Sequence, residues 1–196
     1  MGRKARFTKD DFVATALELL AAKGLGGVTM AAIAEKAGGP IGSVYHRFSS
    51  REVLLAELWM TLIESFQSGF LEQLGGGDIE QAALYTLKWV RKSPTQARVF
   101  LLYRREQLIA GDWPGDLRDR AEALGRELAD GLNAFTRRLF GKTNKKNVDR
   151  VAFCLIQVPM SAVRSHLERG TPIPGYYDQF VVETCQALLG SGDGTK

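Results

Sequence analysis

Thr29-Met30-Ala31-Ala32-Ile33-Ala34-Glu35-Lys36-Ala37-Gly38-Gly39-Pro40-Ile41-Gly42-Ser43-Val44-Tyr45-His46-Arg47-Phe48 is the stretch whose reading decides the fold. Thr29 is an N-cap, and Met30, Ile33, Ala34 and Ala37 recur at helical spacing to make one inner face. Gly38 ends that helix where a left-handed residue is favoured, and Gly38-Gly39 supplies a tight turn. A second short helix starts at Pro40 or Ile41 and carries Val44 and Phe48 inward at i, i+4. Two short helices, small alanines where they cross and a tight turn between them predict a helix-turn-helix. The second helix then exposes Ile41, Gly42, Ser43, Tyr45 and His46. Hydroxyls and ring donors suit phosphate oxygens, and apolar groups suit thymine methyls.

Working outward, helical periodicity continues in both directions and no stretch alternates long enough to be a strand. Upstream, Thr8 caps a helix with Asp10 and Asp11 in its first turn, and Phe12, Ala16, Leu19 and Leu20 on one face before Gly24. Downstream, Ser49 with Glu52 predicts a capping box for a long fourth helix with Leu55, Leu58, Leu62, Phe66 and Phe70 inward, broken at Gly75-Gly76-Gly77. Asp78 and Ser93-Pro94 open the fifth and sixth helices, and 111–115 reads as a loop. A seventh helix spans about 117–140 and an eighth about 146–168, kinked at Pro159. A ninth covers about 176–189. The expected fold is all-α with nine helices. A three-helix helix-turn-helix head (1–51) precedes a six-helix C-terminal bundle for effector binding and dimerisation (52–190), and residues 191–196 form a disordered tail.

The 196 residues are 45% hydrophobic and 24% charged, which suits a folded globular chain and argues against disorder as its main theme. The net charge of +4 is unevenly placed. Residues 1–51 hold eight Lys/Arg against four acids, and the remainder holds 18 of each, so the whole excess lies at the head. A polyanion partner at that end is one reading, and a solvated basic leader is the other. No window approaches the roughly 18–20 apolar residues that span a bilayer, so the expectation is a cytoplasmic protein with no membrane partner. Cys154 and Cys185 lack the close pairing of a zinc site and read as reduced core residues.

At the head the chain resembles the TetR family of transcriptional regulators. Ala-Ile-Ala-x-x-Ala-Gly, then Ile-Gly-Ser-Val-Tyr-x-x-Phe, then Ser-Arg-Glu-x-Leu-Leu look like that family's DNA-binding signature, over about residues 8–58. The resemblance implies that Ser43, Tyr45 and His46 touch the DNA backbone and that Arg51, at the start of the fourth helix, contacts a phosphate. The candidate DNA-binding residues are Arg3, Lys4, Thr29, Met30, Ile41, Gly42, Ser43, Tyr45, His46 and Arg51. Arg3-Lys4-Ala5-Arg6 fits a minor-groove arm or a disordered leader. Gly39-Pro40 departs from the family's bulky apolar residue and serine, which implies a looser turn. Ile41 and Gly42 offer no bidentate base contact, so specificity leans on thymine methyls, water and DNA shape.

Neither His46 nor His166 has neighbours at metal-ligand spacing, and no phosphate-cradling glycine motif or nucleophile elbow occurs. No catalytic residue, metal ligand or cofactor is therefore expected. The bundle offers Trp59, Phe66, Trp89, Phe100, Tyr103, Phe135, Phe153 and Gln157 as a candidate effector pocket, each of which also fits plain core packing. Arg91, Arg98, Arg104 and Arg105 read mostly as solvated surface, and one turned inward would favour an anionic effector. The last two helices carry apolar residues on more than one side. Phe153, Val158, Val163, Phe180 and Val181 are the candidate dimer interface. The leading reading is a homodimeric repressor that binds a pseudo-palindromic double-stranded operator and releases it when an unknown small molecule binds. A regulator with a filled core that binds DNA constitutively, or under a partner protein's control, is a second reading. A helical carrier or enzyme with a vestigial head is a third.

Overall fold

Thr8 starts the first helix, α1 (Lys9–Lys23), with a reciprocal pair of bonds. The Asp11 amide donates to Thr8 Oγ1 at 3.1 Å, and the Thr8 amide donates to the Asp11 carboxylate at 2.7 Å. The bond from the Thr8 amide, with the Thr8 hydroxyl beside it, holds the Asp11 carboxyl below the usual carboxylate range. The computed structural model describes residues 7–108 and 115–190, apart from the side chains of Arg105 and Glu106. Arg3, Lys4, most of the expected 111–115 loop and the expected tail at 191–196 lie outside the described residues.

Gly24 ends α1 at φ +67°, and a short 3-10 turn, Leu25–Gly27, leads to α2 (Met30–Ala37). Thr29 caps α2 by accepting from the Ala32 amide at 3.0 Å, and Gly38 closes it in the left-handed region at φ +71°. Pro40 precedes the five-residue α3 (Ile41–Tyr45) without a side-chain cap. The long helix α4 is Arg51–Gly76. Its cap is Ser50, not the predicted Ser49, because the extended backbone of Ser50 (φ −152°, ψ 169°) brings its oxygen to the Val53 amide at 3.3 Å. The glycine triplet does not break the helix where expected. Gly75 and Gly76 stay helical, the Arg138 guanidinium donates to the Gly75 carbonyl at 2.9 Å, and only Gly77 turns left-handed.

Asp78 caps α5 (Ile79–Lys92), and α6 (Pro94–Leu102) follows directly. A single helical turn, Arg105–Leu108, was not anticipated from the sequence. The amphipathic α7 is Gly115–Phe140. The next helix, α8, is continuous in backbone conformation from Lys145–Ala152 through a π-turn, Phe153–Gln157, to Val158–Arg169. Pro159 has no N–H for the carbonyl four residues earlier, and the wider turn just before it accommodates that missing bond. Tyr176–Leu189 is α9. The described residues form nine helices, and none of these is long and apolar enough to cross a membrane.

Two cores form along α4. The first joins Phe12, Leu20, Ile33, Val44, Phe48 and Leu55 to Val99 of α6 and Leu117 of α7. The second gathers Phe66, Phe70, Leu87, Phe135, Leu155 and Val181. Each fully buried Phe or Leu contributes about 1.5–3 kcal/mol, so the two ends of α4 are both held firmly. A polar clasp joins them on one side. Glu57 of α4, almost fully buried, takes Lys9 of α1 at 2.9 Å and Arg120 of α7 at 2.8 Å. Arg120 also reaches Glu64 at 2.7 Å. Burial alone would raise the Glu57 carboxyl, but its bonds to Arg120 and Lys9 hold it below the usual value.

Candidate nucleic-acid interface

The reading helix α3 is short, so its position depends on its anchors. Val44 and Phe48 are fully buried in the first core, with residues of α1, α2 and α4. The opposite face is open, with Ile41 46% and Tyr45 53% exposed, Gly42 and His46 exposed, and Ser43 half-buried between them. A Cβ on Gly42 would meet nothing within 4 Å, so a flat backbone surface lies between Ile41 and Tyr45. Of the predicted contacts, these five share one accessible face. Thr29 is exposed at the start of α2, with its hydroxyl oxygen accepting from the Ala32 amide. Met30 is a correction. It is 6% exposed and packs in the first core, because the same helical period that brings Ile33 and Ala34 inward also carries Met30.

Arg51 also differs from expectation. Its Nε donates to the Val28 carbonyl at 2.5 Å and its Nη2 to the Leu25 carbonyl at 2.7 Å. Most of the guanidinium is thus spent on satisfying carbonyls of the α1–α2 connection, and its remaining nitrogen lies 3.9 Å from Glu52. Arg51 therefore acts inside the head as a strut.

Two functional neighbours were missed in the sequence. Arg47 donates from Nη1 to the Ser43 carbonyl at 2.9 Å and from Nη2 to the Phe7 carbonyl, and it lies over the Phe12 ring. Phe7 stacks on Phe12 with centroids 5.9 Å apart. That pair is the hydrophobic staple expected when apolar residues flank a Thr8 cap at these positions, so a signal was there to be read. The staple and Arg47 together place Phe7 beside Gly39 and the end of α3.

Residues 12–58 match the family model for bacterial regulatory proteins of the tetR family. This segment is a TetR-type DNA-binding head. Solved structures share its whole plan. A tetR family transcription regulator from Shewanella sp. PV-4 is 22% identical and gives a TM-score of 0.67, over 94% of this chain and 96% of that one. A transcriptional regulator from Rhodococcus sp. Rha1 is 18% identical with a TM-score of 0.68, over 93% and 96%. The regulator FadR from Bacillus subtilis, in complex with stearoyl-CoA, is 15% identical with a TM-score of 0.67, over 95% and 100%. At these identities the likeness shows the fold. No curated protein matches the chain in sequence.

In the body that follows this head, the predicted pocket aromatics do not surround one space. Trp59, Phe66, Trp89 and Phe100 pack on one another with ring centroids 5.1–5.8 Å apart. They fill the interior where α4, α5 and α6 meet, because edge-to-face rings are more stable together than lining a void. Phe135 is buried elsewhere in the second core. Phe153 and Gln157 are on the outside of α8, away from that cluster, since the π-turn that contains them buries Cys154 and Leu155 instead. Trp59, Phe100 and Tyr103 do come together along the cluster's outer edge, where a cavity of about 480 Å3 opens.

The predicted interface divides in the same way. Phe153 and Phe180 are exposed and Val158 is half-buried. Val163 and Val181 are corrections, being 0% and 2% exposed inside the subunit's own second core. On α9 the exposed apolar face is Tyr176, Phe180 and Leu188 instead. Cys154 and Cys185 are free and buried, and the Cys185 thiol donates to the Cys154 carbonyl at 3.0 Å. The neighbouring Cys154 thiol and burial push the Cys185 thiol strongly up, which keeps it protonated.

Proposed function

We propose that the chain is a homodimeric repressor that grips a pseudo-palindromic operator and releases it when a small molecule occupies the body. The observation that carries the DNA-binding half is the exposed face of α3 built around a fully buried Val44 and Phe48, at the end of the chain that holds the whole net +4 charge. In this reading the head is residues 1–51 and the sensing and dimerisation body is 52–190. Ser43, Tyr45, His46 and Thr29 contact phosphate, Ile41 and Gly42 face base edges, and Arg3 and Lys4 reach an adjacent groove. Dimerisation is supported by Phe153, Tyr176, Phe180 and Leu188, which leave large apolar surface on α8 and α9. A two-fold pair would hold the reading helices roughly 34–36 Å apart, one turn of DNA.

Effector control is supported by the shared plan with FadR, whose structure holds stearoyl-CoA, and with the multidrug binding protein EbrR complexed with imidazole. A gel shift against the DNA flanking the chain's own gene tests the proposal. Salt-sensitive, sub-micromolar binding is expected, and its absence overturns the reading. The packed aromatic cluster favours a second reading, a regulator that binds DNA constitutively. Thermal shift against a metabolite library separates the two, because an effector stabilises the folded body in proportion to its occupancy.

A further inference from the structure

We propose that the cavity between α4, α6 and α8 binds small amphipathic anions, molecules with an apolar body and one anionic head. This rests on the reading that the body senses an effector, and it specifies where and of what charge. The cavity, about 480 Å3, has the size of an ordinary small-molecule site. Its floor is apolar and rigid: Trp59 and Phe100 meet at 5.5 Å with rings tilted by 42°, and Met160 of α8 adds a thioether. Its charged groups are of one sign. Arg104, just after α6, and Arg164, on α8, both line it.

Neither arginine is accounted for by the fold. Arg91, Arg120 and Arg138 each find a carboxylate or a carbonyl on another helix. Among the described residues, Arg104 and Arg164 form no ion pair and no side-chain hydrogen bond. Two guanidiniums held beside one apolar floor with no acid between them repel each other, and a bound carboxylate, sulfonate or phosphate removes that repulsion. An apolar cation would meet the same two charges with the wrong sign. The apolar floor in turn excludes a bare inorganic anion as the preferred occupant, since it would leave Trp59, Phe100 and Met160 facing water.

The cavity also touches the head. Tyr103 lines it, and its hydroxyl lies 3.8 Å from where a Cβ on Gly24 would be, at the end of α1. The next residue, Leu25, holds the Arg51 strut of α4. An occupant that moves Tyr103 therefore presses on the junction of α1 and α4, on which the attitude of α3 depends.

The test uses three ligands of one chain length, octanoate, 1-octanol and octyltrimethylammonium, with 2-naphthoate and 2-naphthol as a planar pair, titrated into the full chain by calorimetry. The expected result is at least tenfold tighter binding of a carboxylate than of its neutral partner, with the cation weakest. Arg104→Gln with Arg164→Gln should bring carboxylate and neutral partner to equal affinity without lowering the melting temperature, since both side chains are exposed. Trp59→Leu should weaken every ligand that binds. Equal binding within each set, a charge preference that survives the double substitution, a preference for the cation, or no binding of either carboxylate at millimolar concentration overturns the proposal. The same ligands added to the operator complex separate the two levels of inference. Arginine-dependent binding that leaves the complex intact upholds the site and rejects effector release. Release by a ligand indifferent to both arginines does the reverse.

Discussion

The Phe7 ring lies against Gly39, so close that a Cβ on that glycine would be 2.9 Å from Phe7 Cε2. The space that a side chain at position 39 would take is occupied by a ring from the start of α1. The turn is therefore filled, where the sequence suggested that an extra glycine loosens it. Arg47 then fixes Phe7 from the other side through its carbonyl.

Gly39→Ala should displace Phe7 and cost about 1 kcal/mol, a fall of about 2–4 °C in melting temperature for a chain of this size. Operator affinity should fall further than that loss explains, because Phe7 and Arg47 both brace the reading helix. Calorimetric melting beside a gel shift checks both. An unchanged melting temperature with unchanged affinity would show that the contact positions nothing.

Arg51→Ala should destabilise the head by about 1–3 kcal/mol, because the Leu25 and Val28 carbonyls lose their donors. Arg51→Lys should rescue little, since an ammonium cannot reproduce the fork that spans two carbonyls. Urea unfolding measures the loss. The salt dependence of operator binding should keep its slope, whereas a true phosphate contact would lower it by about one.

Tyr45→Ala should leave stability unchanged, as the side chain is 53% exposed and outside both cores. Affinity for every DNA sequence should fall about tenfold, the loss of one hydrogen bond and its ring contact. A fluorescence anisotropy titration with operator and with random DNA checks that the loss is uniform.

Glu57→Gln tests the clasp between head and body. The folded carboxyl is depressed, so it contributes stability that is present above the ordinary glutamate value of 4.5 and lost as pH falls through its lower folded value. The wild type should therefore lose stability in that acidic window, and Glu57→Gln should show a flatter curve there. At neutral pH the variant should be less stable by about 1–3 kcal/mol, between the values for an exposed and a buried pair, as Arg120 is partly solvated. Urea unfolding from pH 3 to pH 7 reads both effects.

If the proposed dimer forms through α9, Phe180→Lys should leave a folded monomer that no longer binds operator, while Val181→Lys should unfold the body. The two side chains are adjacent in sequence, but one is 55% exposed and the other 2%. Sedimentation with circular dichroism distinguishes the outcomes, and a Phe180→Lys dimer would remove α9 from the interface.

Much of this protein is written within four residues of each feature. Thr8, Thr29 and Asp78 cap their helices, Gly24 and Gly38 end them, and the period of Phe12, Ile33, Val44 and Phe48 fixes what faces inward. Such features depend on local hydrogen bonds and side-chain spacing, so the helix-turn-helix and the nine-helix order were legible in the sequence alone. The exposed face of α3 followed from them directly.

Tertiary structure decided what long-range partners would do with the remaining groups. The Arg51 acceptors lie 23 and 26 residues away, and Arg47 finds Phe7 at a separation of 40. No spacing rule announces such bonds, because a guanidinium binds whichever carbonyl the fold leaves unsatisfied. The aromatics of the body could equally have lined a space or filled one, and only the approach of α4, α5 and α6 made them pack together. The packing of α8 against α6 put Arg104 and Arg164, two charges far apart in sequence, on one cavity.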